Sequence, residues 1–162
     1  MAAPNFKLRY VGEFDLKHVL DSTRQCLEER GYEVHEKEYI EKVPEVEITY
    51  ECVRWRDEYW KDIIEIYFHL YDVRMLSRTR TRARIFAYIN FEGESGYEDL
   101  YGISTLKETP VKARVLAFLE KTVLKRTIML KYEDVLMYDA HAVTMTIRES
   151  LGMDIGLTRR EE

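Results

Sequence analysis

The sequence predicts an α+β domain: a curved antiparallel sheet of five to six strands, with one N-terminal helix and two C-terminal helices packed on one face. Three observations carry this. Between residues 45 and 91, short runs alternate apolar and polar side chains without an intervening helical pattern, which is the signature of an antiparallel meander with one face on a core. A capped amphipathic pattern precedes these runs and two helical patterns follow them. Finally, only 7 Gly and 3 Pro occur among 162 residues, so little chain is left for irregular structure. Hydrophobic residues make up 46%, enough for a core, which excludes wholesale disorder.

Residues 5–12 (NFKLRYVG) read as a first strand with Phe6, Leu8 and Tyr10 on one side. Asp15 stands where an N-cap belongs, ahead of Leu16, Val19, Leu20, Thr23 and Leu27 at helical spacing. Gly31 supplies a left-handed stop, giving a helix over about 15–30. Strand-like runs follow at 32–43, 45–56, 60–73 and 80–91. In the third, Ile64, Ile66, Phe68 and Leu70 oppose Glu65, Tyr67, His69 and Tyr71. In the fourth, Ala83, Ile85, Ala87, Ile89 and Phe91 oppose Arg82, Arg84, Phe86, Tyr88 and Asn90. Residues 92–108 hold three of the seven glycines and form the longest irregular stretch, with a short strand near Leu100. Thr109 and Pro110 open a helix striped by Val111, Val115, Phe118, Leu119 and Val123. The last helix spans about 131–151, with Leu136, Ala140, Val143, Ile147 and Leu151 on one side and Gly152 at its end. One domain over 1–152 and a flexible tail over 153–162 complete the expectation.

In its order of elements the chain resembles helix-grip domains of the START-like class, whose antiparallel sheet wraps a long C-terminal helix. That resemblance implies a cavity able to enclose an apolar ligand. The chain departs from the pattern in having one helix after the first strand rather than two, and a final helix split in two. The segments 31–42 (GYEVHEKEYIEK), 57–72 (DEYWKDIIEIYFHLYD) and 132–153 (YEDVLMYDAHAVTMTIRESLGM) are also similar to segments of uncharacterised small archaeal proteins. This implies a cytoplasmic archaeal setting and transfers no functional residue.

No apolar stretch reaches the roughly 18–20 residues that span a bilayer, and no secretory signal is visible at Met1-Ala2-Ala3-Pro4. A cytoplasmic protein without a membrane partner is expected. Cys26 and Cys52 form no CxxC pair and read as buried hydrophobes in a reducing compartment. Charged residues at 34%, with one Gln and two Asn, match the thermophilic bias towards Lys and Glu and away from labile amides.

Catalytic and cofactor signatures are absent from the sequence. His18, His35, His69 and His141 fall in four different elements with no metal-ligand spacing, and HExxH, P-loop and GxSxG motifs do not occur. No cofactor, metal site or catalytic residue is therefore expected. The carboxylates crowded into residues 28–51 read as a solvated face. Asp139 lies beside the apolar stripe of the last helix, either on its surface or buried with a partner.

Two patterns stand out. Arg74, Arg78, Arg80, Arg82 and Arg84 lie in a stretch, 74–90, without an acidic residue, whereas 28–51 carries nine Glu. In extended chain, Arg78 to Arg84 line one face and lead to Phe86 and Tyr88. This row reads either as the partner of the acidic block, within the sheet or between subunits, or as a phosphate track beside a stacking platform for RNA. The net charge of -5 disfavours a dedicated nucleic-acid binder. Second, Tyr67, Tyr71, Phe86 and Tyr88 fall on the face opposite the aliphatic core, which calls for a two-sided core, a partner or a ligand. The expected function is a non-catalytic interaction module that assembles with itself or a protein partner through Arg80, Arg82, Arg84, Tyr67, Tyr71, Phe86 and Tyr88. The alternatives are RNA or phosphate binding along the row 78–84, and a carrier of an apolar small molecule. The carrier's cavity would be lined by Ile64, Ile66, Phe68, Ile85, Ile89, Val143 and Ile147.

Overall fold

The computed structural model describes residues 5–56, 60–95 and 132–153. The helix expected from Thr109, the strand near Leu100 and the tail beyond Met153 lie outside the described residues. The elements follow in the order β1 (Asn5–Phe14), α1 (Leu16–Glu29), β2 (Glu33–Lys42), β3 (Glu45–Trp55), β4 (Trp60–Met75), β5 (Thr81–Ser95) and α2 (Asp134–Ser150). The strands form one antiparallel sheet in the order β1-β5-β4-β3-β2, so β4 is its central strand.

The alternation read in the sequence becomes the two faces of this sheet. Val46, Ile48, Tyr50 and Cys52 of β3 meet Ile64 to Leu70 of β4, which meet Ile85 to Phe91 of β5. Val19, Cys26 and Leu27 of α1 and Leu136, Ala140, Val143 and Ile147 of α2 join them in one buried cluster. Both helices therefore cover the same face. Burying a side chain such as Ile66 or Phe68 completely contributes about 1.5–3 kcal/mol, and twelve large side chains here are essentially inaccessible.

Local chemistry fixes the ends. The Asp15 carboxylate accepts a hydrogen bond from the His18 N–H at 3.2 Å and caps α1. At the other end Gly31 takes a φ of +86°, the Gly31 N–H donates to the Glu28 carbonyl, and the Tyr32 N–H donates to the Leu27 carbonyl. This pair of bonds turns the chain and drives Tyr32 into the core at the entry to β2. Two bulges interrupt the sheet: Lys37 is extra in β2, between Glu36 and Glu38, and Asp72 and Val73 of β4 together stand against the single Ala83 of β5, with Asp72 at a φ of +52°.

The Arg row is shorter than the sequence spacing implies. β5 begins at Thr81, and Arg78 and Arg80 lie in the turn between β4 and β5, closed by the Leu76 and Ser77 N–H groups donating to the Arg80 carbonyl. Of the four arginines in the row 78–84, Arg82 and Arg84 stand on the outer face of a strand.

Candidate interaction face and a buried ionic cluster

The outer face, opposite the helices, carries Lys7 and Arg9 from β1, Arg82 to Tyr88 from β5, Tyr67 to Tyr71 from β4, and Glu45 to Glu51 from β3. No described helix packs on it. Its rings touch in a continuous chain. Tyr67 and Tyr88 sit 6.1 Å apart, Tyr67 meets His69 edge-on at 6.0 Å, His69 stacks on Tyr71 at 3.9 Å, and Tyr71 meets Phe86 edge-on at 5.5 Å. Four of the seven residues expected on this face, Tyr67, Tyr71, Phe86 and Tyr88, are thus brought together, all half-buried. Arg84 joins them and Arg82 lies further along the strand, while Arg80 is held in the turn.

Cations gather on one flank. Arg9 lies 5.0 Å from the Phe86 ring centre, Arg84 5.7 Å from Tyr71 and Lys7 5.9 Å from Tyr88, within the range in which a ring face attracts positive charge. Carboxylates gather on the other flank. Glu47 accepts a hydrogen bond from the Tyr67 hydroxyl at 3.0 Å, and both Glu45 and Glu47 approach the His69 ring nitrogens, at 3.4 and 3.6 Å. Burial and then the Glu47 hydrogen bond push the Tyr67 phenol up to about 12.

The acidic block and the arginines do not neutralise one another within the sheet, because β4 separates β3 from β5. Arg84 pairs instead with Asp72 at 2.9 Å, and Glu51 and Glu65 share Lys37. Arg74, Arg78, Arg80 and Arg82 form no ion pair among the described residues.

The seven residues expected to line a carrier cavity, Ile64, Ile66, Phe68, Ile85, Ile89, Val143 and Ile147, are fully buried members of the packed core cluster. They fill the space between sheet and helices with one another.

A second concentration of polar groups lies at the opposite end of the core face. Arg54 and Asp62 are cross-strand neighbours on β3 and β4. One Arg54 nitrogen, Nη2, reaches Asp62 Oδ2 and Asp139 Oδ2 of α2, both at 2.7 Å, while Nη1 donates to the Arg30 carbonyl at 2.9 Å. Asp62, wholly inaccessible, also accepts from Trp60 Nε1 at 2.6 Å and faces Arg56 Nε at 3.0 Å. The Tyr32 hydroxyl donates to Asp139 at 3.1 Å, and its ring lies 4.3 Å from the Arg54 guanidinium. Burial alone would lower the Arg54 pKa, but the Asp62 hydrogen bond and the nearby Tyr32 and Asp139 hold it above the ordinary value. Burial likewise raises the Tyr32 phenol, against Arg54 and with Asp139. Both buried carboxylates are paired with arginines, and the cluster ties the end of α1, α2 and two strands together. Of its members, Asp139 stands out in the sequence by its place beside the apolar stripe of a helix, a signal that Arg54, Asp62 and Tyr32, outside the helices, do not share. No cluster of metal-ligating side chains occurs among the described residues, and no described helix is long and apolar enough to cross a membrane. The chain matches no protein-family model and no curated protein.

Proposed function

We propose that the protein works without catalysis, by assembling with a second copy of itself through its outer sheet face. The observation that carries this reading is the ring chain of Tyr67, His69, Tyr71, Phe86 and Tyr88, flanked by cations on the β1/β5 side and carboxylates on the β3 side. Aromatic and arginine side chains of this kind concentrate binding energy at interfaces. The charge pattern also selects a geometry. Because β4 is central, a two-fold axis running along it would lay the Arg9/Arg84 flank of each copy over the Glu47/Glu51 flank of the other. The rings would meet at the middle. A two-fold across the strands would instead set like charges together. The face is therefore self-complementary in one arrangement of an isologous dimer.

A single-stranded nucleic acid would use the same rings, but the β3 carboxylates beside them repel phosphates, and Arg78 and Arg80 stand off the face. A helix-grip kinship finds support in the pairing of β1 with β5 and in two helices on one face. Two buried free thiols support a reducing, cytoplasmic setting.

Light scattering on the eluting protein tests the reading. The expected mass is twice the 19.4 kDa of the chain, falling to one chain in Arg84→Glu and in Glu47→Arg, and returning in the double charge swap. High salt should also weaken association. A wild-type protein that stays monomeric up to its solubility limit, or a dimer indifferent to both reversals, refutes it.

A further inference from the structure

A groove of about 590 Å³ opens between α1 and the β2 end of the sheet, a size typical of small-molecule sites. It lies on the helix side and shares nothing with the outer face. Its floor is apolar, with Leu20 of α1 and Val46 of β3. At its mouth Val43 and Met75 are 81% and 68% exposed, an arrangement that invites an apolar guest.

The β2 wall is the unusual part. A strand facing the core should present aliphatic side chains, and Val34 opposite Cys52 does so. Beyond it the core-facing side chains are Glu36, opposite Tyr50, then Tyr39, opposite Ile48, and Glu41, opposite Val46. Had the strand run through Lys37 without a bulge, strict alternation would have turned Glu38 and Ile40 inward instead. The bulge thus places a tyrosine between two carboxylates on the wall of the groove, which Tyr50 also lines. Among the described residues, Glu36, Glu41 and Asp21 form no ion pair with any lysine or arginine.

Carboxylates act on both rings. Burial raises the Tyr39 phenol, followed by Glu41 and Glu36; burial also raises Tyr50, with Glu36 and Asp21 adding and Arg24 opposing. Lys17 and Arg78 line the groove as well, and Arg24 opposes the carboxylates at Tyr50. Its guanidinium lies 6.0 Å from the Tyr50 centre, so the protein's own positive charge already rests against this ring face.

We propose that the groove binds a small organic cation with an apolar tail, its ammonium seated against Tyr39 and Tyr50 between Glu36 and Glu41 and its tail on the floor.

Calorimetric titration with hexyltrimethylammonium tests this, with hexyl sulfate and hexanol as comparators and tyrosine ring resonances reporting the place of binding. The cation should bind at least about tenfold tighter than either comparator, as expected when ring faces and carboxylates rather than apolar area decide. Glu36→Gln should weaken it by about tenfold, while Arg24→Gln, which frees the Tyr50 ring, should strengthen it. Glu36 is exposed, so the variant folds, and a thermal melt verifies that. Equal or tighter binding of the sulfate, no saturable binding, or an unchanged affinity in Glu36→Gln overturns the proposal. Arg84→Glu should leave cation binding intact, which separates this site from the assembly face.

Discussion

Replacing Arg54 by Met removes the one side chain among the described residues that touches both buried carboxylates. Asp62 would keep Trp60 at 2.6 Å and Arg56 at 3.0 Å, while Asp139 would keep Tyr32 at 3.1 Å and Arg30 at the longer 3.6 Å. Removing one partner of a buried ion pair costs about 3–5 kcal/mol. Because Asp62 retains a second cation, the lower end applies, at about 3 kcal/mol, against a total stability of about 5–15 kcal/mol. With a urea m-value of about 1–3 kcal/mol/M, the midpoint should fall by about 1–3 M. Urea titrations followed by circular dichroism measure this directly. Adding Asp62→Asn and Asp139→Asn to Arg54→Met should recover much of the loss, since the stranded charges go with their partner. Arg54→Lys should recover only part, because a single ammonium nitrogen replaces the separated Nε, Nη1 and Nη2 donors that reach Asp62, Asp139 and the Arg30 carbonyl. A loss under about 1 kcal/mol for Arg54→Met would show the cluster behaving like solvated surface pairs and would refute the reasoning.

Two further perturbations test neighbouring features. A β-carbon at Gly93 would collide with the Trp60 ring, which stacks on Tyr132 at 4.6 Å and donates to Asp62. Gly93→Ala should therefore cost about 1–3 kcal/mol and shift the emission of this buried tryptophan; an unchanged melt and spectrum would count against that contact. Tyr67 is raised from 10.0 to about 12, so the folded state favours the neutral phenol. Its contribution is complete below pH 10 and is lost as the pH rises through about 12. Phenolate absorbance should show a late-titrating class that shrinks in Tyr67→Phe, and a single transition near the ordinary value would contradict the burial of this ring.

Local rules carried most of the fold. Period-two alternation located β3, β4 and β5 and assigned Tyr67, Tyr71, Phe86 and Tyr88 to the outer face, because one face of each strand is buried and the register cannot slip. Asp15 and Gly31 bounded α1 through backbone hydrogen bonds made within a few residues. The turn that holds Arg78 and Arg80 leaves no mark in the sequence, because Ser-Arg-Thr-Arg-Thr continues a strand-like alternation with neither Gly nor Pro to break it. The ionic cluster left a trace that periodicity alone could have used: Arg54 shares the parity of Tyr50 and Cys52, and Asp62 that of Ile64 and Ile66. Opposite charges at core positions of adjacent strands imply a buried pair. Its union with Tyr32 and Asp139 depends on contacts about a hundred residues apart, as does the contribution of Lys7 and Arg9 to the outer face. The β2 bulge had no local signal, because a slip in parity among Glu, Lys and Tyr looks like more of the same polar strand.

That bulged strand also governs how the sheet ends. β2 is a terminal strand, and an open row of backbone donors and acceptors is a template on which another chain could lengthen the sheet. Here the row is kinked by an extra residue, and its ten positions hold Glu33, Glu36, Lys37, Glu38, Glu41 and Lys42 with His35 among them. A strand approaching from solvent would have to desolvate those charges and match a broken register. Among the described residues the sheet ends at this edge, and its charges and its bulge oppose open-ended growth by strand addition there.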